Sequence, residues 1–206
     1  MGSSHPPRQG DLFAQGQLHS PGSTPDLPLQ EHQLRQWQQR LLEFQQPRFE
    51  AVSQGRALAA GQIDLFNGEM LGPAATVQRL DPLALAPQHL QFWRWPDAQN
   101  SGAALYFVID RPPHLSGSLL LYVGETAQAD RRWKGEHDCK SYLAAYGDAL
   151  QQVRLGSQLS IRFWSDAPDG VRPRRALEQA LIRHWLPPFN KETRGRWATP
   201  FTAEPG

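Results

Sequence analysis

The sequence predicts an α/β (α+β) fold: a small three-stranded, mainly antiparallel sheet flanked by helices, in β-β-α-α-β-α order, with an N-terminal helical and loop-rich extension. Three observations carry this expectation. Two β-rich runs, AALYFVID (103–110) and SLLLYVGE (118–125), are joined by RPPHLSG, a Pro- and Gly-containing connection of the hairpin kind. A third run, SQLSIRFWSD (157–166), alternates Leu159, Ile161 and Phe163 with Ser160 and Arg162, which is the period of a strand. PRRALEQALIRHWL (173–186) places Leu177, Ala180, Leu181, His184 and Trp185 on one helical stripe; it opens with Pro173 in a first-turn position and ends at Pro187 and Pro188.

Taken in order, residues 1–28 are rich in Gly, Pro, Ser and Gln with few large apolar side chains, and read as a disordered tail. Leu34, Trp37, Leu41, Leu42 and Phe44 then recur at helical spacing, so a helix is expected until Pro47. Its Gln-rich face reads as a solvated surface or as a partner-binding face. Residues 61–100 mix Pro, Gly and Asp with Leu, Phe and Trp, as an ordered loop-rich segment does when it packs on something. Its FWRW run (92–95) would either dock the segment through buried aromatics or stack on bases. Residues 129–135 and 139–154 read as helices, with Gly147 a weak point, and FNKETRGRW (189–197) as a basic, aromatic loop. The domain division expected is 1–28 tail, 29–100 accessory region and 101–206 principal domain.

Composition limits the function classes. Of 206 residues, one is Cys, so an intramolecular disulfide and a multi-Cys zinc site are excluded. HDC (137–139) sets unlike ligands side by side without a second cluster, which is a poor metal motif. No apolar run approaches a membrane span, and MGSSHPPRQG lacks both the apolar stretch of a signal peptide and the Ser/Thr of a myristoylation signal. A cytoplasmic protein without a membrane partner is expected. Residues 1–100 carry 7 Lys/Arg against 9 Asp/Glu, and residues 101–206 carry 14 against 11. That asymmetry is too mild to imply nucleic acid by itself.

The candidate chemistry gathers on the first two strands. LLLYVGET (119–126) runs from leucines into Tyr122 and Gly124, although glycine weakens a strand. By strand alternation Tyr106 shares a face with Val108, and Tyr122 shares one with Leu120 and Gly124, so an antiparallel pair can bring both phenols to one side. They read as core tyrosines with hydroxyls at the rim, or as site residues. Asp130, Arg131, Arg132, Lys134, Glu136, His137 and Asp138 form either a charged helix face or a phosphate-binding first turn. Glu178 lies at the edge of an apolar stripe. It is either the i,i+4 ion-pair partner of Arg174 or a lone carboxylate ligand for Mg²⁺, which commonly uses one or two carboxylates with substrate phosphates and water. Asn190, twelve residues on, has an amide able to fix a phosphate or the Glu178 carboxylate.

Over about residues 102–192 this set resembles the GIY-YIG endonuclease family. ALY (104–106) stands for Gly-Ile-Tyr, YVG (122–124) for Tyr-Ile-Gly, Arg132 follows Gly124 by eight residues, and ALEQALIRHWLPPFNK (176–191) supplies the Glu, the apolar helix and the Pro-x-Asn. The resemblance implies a metal-dependent nuclease, of repair or restriction type, hydrolysing DNA phosphodiesters with Mg²⁺ or Mn²⁺. Glu178 would be the metal ligand and Arg132 would neutralise charge at phosphorus. Tyr106 or Tyr122 would orient or deprotonate water, and Gly124, Arg131, Lys134, Asn190 and Lys191 would bind substrate. The departures are Ala104-Leu105, Glu125 where a Lys is common, and His137 one position beyond the family's His or Tyr. His137 is then a general base or an ordinary surface histidine. Glu125 would need to pair with Arg131 or Arg132, or join the metal. The alternative from another class is a catalytically silent module on the same fold that binds nucleic acid or protein.

Overall fold

The computed structural model of the chain describes residues 29–60, 72–91, 101–129 and 138–201. The expected tail over 1–28, the FWRW run, and the basic segment holding Arg131, Arg132, Lys134 and His137 lie outside the described residues.

The expected mixed fold is found. β1 (Ala104–Asp110) is the central strand of a three-stranded sheet, with β2 (Leu119–Thr126) and β3 (Ser160–Trp164) antiparallel on either side. All seven positions of β1 are buried, which explains why ALYFVI (104–109) does not alternate with charged residues as a half-exposed strand would. Among the described residues four helices pack around the sheet: α1 (Glu31–Ala60), α2 (Pro73–Arg79), α3 (Asp138–Gln152) and α4 (Val171–Trp185). One face of the sheet carries Tyr106, Val108, Leu119 and Leu121 against Leu34, Trp37 and Leu41 of α1 and Cys139, Leu143, Tyr146 and Leu150 of α3. The other carries Leu105, Phe107, Ile109, Leu120 and Val123 against Leu177, Leu181, Ile182 and Trp185 of α4.

Two sequence expectations are corrected here. First, the helix does not stop at Pro47 but runs 30 residues to Ala60. Its first half packs on one face of the sheet and Phe49 and Val52 on the other, so α1 crosses the edge of β2. Tertiary contacts outweigh the hydrogen bond that Pro47 cannot make. The Arg48 Nε donates to the His184 carbonyl at 3.0 Å and Gln45 Nε2 to that of Trp185 at 3.1 Å, so both serve the C-terminal end of α4, where a cation is favoured. Phe49 lies against Trp185 with ring centroids 4.4 Å apart. Second, the register shifts between Val108 and Ile109, because Val108 opposes Tyr122 but Ile109 opposes Leu120. This bulge inserts Leu121, so Leu120 turns to the opposite face from Tyr122. Tyr122 shares its face with Leu121 and Gly124 instead. The bulge is invisible in the sequence because every residue of the run is apolar. The α4 helix also begins two residues before Pro173.

Both outer strands are covered. At β2, the Gln45 amide accepts from Leu120 N–H at 2.8 Å and donates to its carbonyl at 3.0 Å, and Asn190 does the same for Val123 at 3.0 and 2.8 Å. The Phe189 N–H donates to the Leu121 carbonyl at 3.0 Å. Side-chain amides therefore stand in for a fourth strand and block edge pairing. At β3, Gln88 exchanges two backbone hydrogen bonds with Ile161, at 2.8 and 2.9 Å. Arg162, on the polar side of the alternation, is buried because its guanidinium donates to the carbonyls of Leu83 at 2.6 Å and Leu85 at 2.9 Å. The segment 72–91 is thus docked on the sheet through backbone as well as apolar contacts.

Gly124 opposes Tyr106 in the ladder. A Cβ at 124 would overlap the Tyr106 ring carbon Cζ and its hydroxyl. We expect Gly124→Ala to destabilise the fold by about 1–3 kcal/mol, the usual size of overpacking in a closed core, read as a lower denaturation midpoint. Adding Tyr106→Phe leaves Cζ in place and should not restore it. A wild-type midpoint for Gly124→Ala would mean that the ring does not lie over Gly124.

Candidate active site

The end of β2 brings together residues from three elements. The Tyr106 and Tyr122 rings stack with centroids 5.9 Å apart, on the face the alternation predicts. Tyr106 is fully buried and also packs against Phe163. Tyr122 is half-buried. Burial pushes its phenol well above the usual tyrosine range, and the adjacent Tyr106, Cys139 and Glu178 add to the effect. That direction disfavours the phenolate, so the described surroundings of Tyr122 suit a hydroxyl that donates to or orients a water better than a base.

Glu178, on the second turn of α4, reaches over the edge of β2. Its Oε1 accepts the Glu125 backbone N–H at 3.1 Å. The ion pair with Arg174 is not what holds it. Arg174 is 1 % exposed, and its Nε pairs with Glu125 Oε2 at 2.7 Å while Nη1 donates to the carbonyls of Pro168 at 3.0 Å and Asp169 at 2.7 Å. The exposed Arg175 adds a second, longer contact to Glu125 at 3.4 Å. The carboxylate that departs from the family pattern is thus neutralised by two cations from α4. Its partner at 2.7 Å is Arg174, 49 positions away in sequence, which the i,i+4 spacing offers as one alternative partner for Glu178.

Two expected substrate-binding residues serve the scaffold. Both polar atoms of the Asn190 amide are bonded to Val123, so Asn190 fixes the edge of β2. Gly124 makes room for the Tyr106 ring. Lys191 is exposed on the loop that Asn190 anchors. The same loop is fixed by Thr193 Oγ1 donating to the Pro187 carbonyl and by Trp197 Nε1 donating to that of Leu186 at 2.7 Å. It carries Arg194, whose Nη1 donates to the Tyr142 hydroxyl at 2.8 Å, and the exposed Arg196. Exposed cations Arg172, Arg175, Arg183, Lys191, Arg194 and Arg196 stand on α4 and this loop, a composition suited to a polyanion.

Among the described residues no group of three or more His, Cys, Asp or Glu side chains converges as a metal cage. The donor set still fits a hard cation of the Mg²⁺ kind at Glu178 alone, with water and phosphate oxygens completing the shell. Among the described residues it does not extend to the several protein ligands that a structural or catalytic zinc needs. Among the described residues no helix is long and apolar enough to cross a membrane. No family model matches the chain, and neither does any curated protein or solved structure with which it was compared.

Proposed function

We propose that this chain is a metal-dependent endonuclease that hydrolyses DNA phosphodiesters, as its resemblance to the GIY-YIG enzymes implies. The observation that carries the reading is the convergence of the Tyr106–Tyr122 pair and the Glu178 carboxylate on one end of β2, beside the exposed cations of α4 and the following loop. In this reading the Tyr122 hydroxyl orients the attacking water, and Glu178 holds the cation. Arg132 neutralises charge at phosphorus, and Arg131, Lys134, Lys191, Arg194 and Arg196 contact flanking phosphates. Mg²⁺ or Mn²⁺, when bound, polarises the phosphate and stabilises the leaving oxygen. His137 is the candidate proton acceptor left by the neutral Tyr122.

One observation favours a catalytically silent DNA-binding module instead. Tyr106 has no exposed surface, so only Tyr122 of the pair is open to a substrate. The two readings separate on purified protein incubated with supercoiled, linear and branched DNA, with and without Mg²⁺ or Mn²⁺. Cleavage that needs the metal supports the nuclease. Binding without cleavage of any form supports the silent module.

Arg132→Ala refines the test. As a stabiliser of transition-state charge its loss should slow single-turnover cleavage by on the order of 10²–10³. Affinity for DNA, titrated in Ca²⁺, should fall only modestly because several other cations contact phosphates. Equal losses in rate and affinity would remove Arg132 from the chemistry.

A further inference from the structure

A buried hydrogen-bonded chain lies at the other end of β1 from Leu105, which pairs with Glu125. Asp110, the last residue of β1, is fully buried. Its Oδ1 accepts from the Ser157 hydroxyl at 2.9 Å and from the Gln158 N–H at 2.8 Å, and its Oδ2 accepts from the Tyr146 hydroxyl at 2.7 Å. The Gln38 amide donates to the Tyr146 oxygen at 2.6 Å, and Gln38 Oε1 lies 2.9 Å from His114 Nε2. Five segments meet here: α1, the end of β1, the β1–β2 connection, α3 and the α3–β3 connection.

The chain has a direction. An ionised carboxylate only accepts hydrogen bonds. The Tyr146 proton therefore goes to Asp110, so its oxygen takes a proton from the Gln38 NH₂. The Gln38 carbonyl oxygen then faces His114 and requires a donor, which only a protonated Nε2 supplies. An ionised Asp110 thus sets His114 as the Nε2–H tautomer, with Nδ1 as the ring's acceptor. His114 is half-buried and lines a groove along α1 with Arg35, Arg40 and Gln39.

We propose that Asp110, Tyr146, Gln38 and His114 form a relay that transmits the protonation state of a buried carboxylate to the ring of a groove-lining histidine. When Asp110 takes up one proton on Oδ2, it donates to Tyr146, and the Tyr146 proton turns to Gln38. The amide turns over, and its NH₂ donates to His114 Nε2. That nitrogen must then carry a lone pair, so the ring holds its single proton on Nδ1, the exchange passing through solvent. A doubly protonated His114 fits only the first direction. Protonation at one end therefore opposes protonation at the other.

The charged groups facing the relay are Glu31, Arg35 and Arg40 on α1; Arg111 contributes its backbone N–H to Asp110, α3 contributes Tyr146, and the 157–158 segment contributes no charge. Burial raises the Asp110 carboxyl against the opposing hydrogen bonds, and burial followed by Arg35 lowers His114. His114 is thus kept neutral, the state in which a tautomer can be read.

The experiment is ¹⁵N NMR of the His114 ring in the full chain at neutral pH, with the signal assigned by its loss in His114→Gln. Wild type should show protonated Nε2 and unprotonated Nδ1. Asp110→Asn mimics the neutral acid, and the Gln158 N–H fixes the Asn oxygen so that its NH₂ faces Tyr146. The two ring resonances should exchange places in this variant, and the His114 pKa should fall. Tyr146→Phe cuts the relay, and both tautomers should appear. A wild-type ring protonated on Nδ1, or Asp110→Asn keeping Nε2–H, overturns the proposal. Should Asp110→Asn fail to fold, a pure Nε2–H ring in Tyr146→Phe overturns it equally.

Discussion

If the chain is the proposed nuclease, Glu178→Gln is expected to abolish metal-dependent cleavage while leaving the protein folded. The substitution keeps the side chain's volume and an oxygen that can accept the Glu125 N–H, which lies 3.1 Å from Oε1. It removes the charge, and with it the carboxylate that the proposed reading makes the ligand of a hard cation. On the nuclease reading, the loss would be the several kcal/mol of charge stabilisation that a cation held by Glu178 would supply. Three measurements define the result: single-turnover cleavage across a Mg²⁺ or Mn²⁺ series, DNA affinity in Ca²⁺, and the denaturation midpoint. Loss of cleavage with an unchanged midpoint is the expected outcome. Cleavage at the wild-type rate would show that Glu178 only ties α4 to the β2 backbone. A lower midpoint together with lost cleavage would make its role structural.

The strands and the last helix were legible because each rests on local pattern: a continuous apolar run for the central strand, alternation for β3, a 3.6-residue stripe for α4. The pairing of Tyr106 with Tyr122 was legible for the same reason, since antiparallel geometry alone brings them to one face. What escaped depends on contacts distant in sequence. Pro47 is a sound local stop signal, and only the docking of Gln45, Arg48 and Phe49 against β2 and α4 shows why the helix continues. Asn190 resembles a ligand-binding amide until its two partners are seen to be one backbone residue. Nothing near Glu125 in the sequence names Arg174 as its partner. The one available signal was a carboxylate placed directly after Gly124, which has to be neutralised if phosphate is to approach; the described cations that do so are Arg174 and Arg175, while Arg131 and Arg132 lie outside the described residues.

Arg174→Ala is the strongest test of that pairing. Arg174 is a buried cation with three acceptors: Glu125 Oε2 and the carbonyls of Pro168 and Asp169, which precede the first turn of α4. Its removal leaves a mostly buried carboxylate with only the exposed Arg175 at 3.4 Å, and two carbonyls without their donor. Breaking a buried pair from one side costs on the order of 3–5 kcal/mol, because the remaining charge is desolvated and uncompensated. Arg174→Lys should lose less, but not nothing, since a single ammonium lacks the planar fork that reaches all three oxygens. Arg174→Met combined with Glu125→Gln removes both charges and should recover much of the loss, giving a coupling energy in a double-mutant cycle. The Arg174 variants should also need more metal for half-maximal cleavage, because the Glu125 N–H that meets Glu178 is positioned through this pair. Denaturant titration and the metal dependence of cleavage measure the two effects separately. A midpoint for Arg174→Ala equal to wild type, with no coupling in the cycle, would mean that the pair does not hold β2 against α4, and Glu178 would have to be oriented by some other contact.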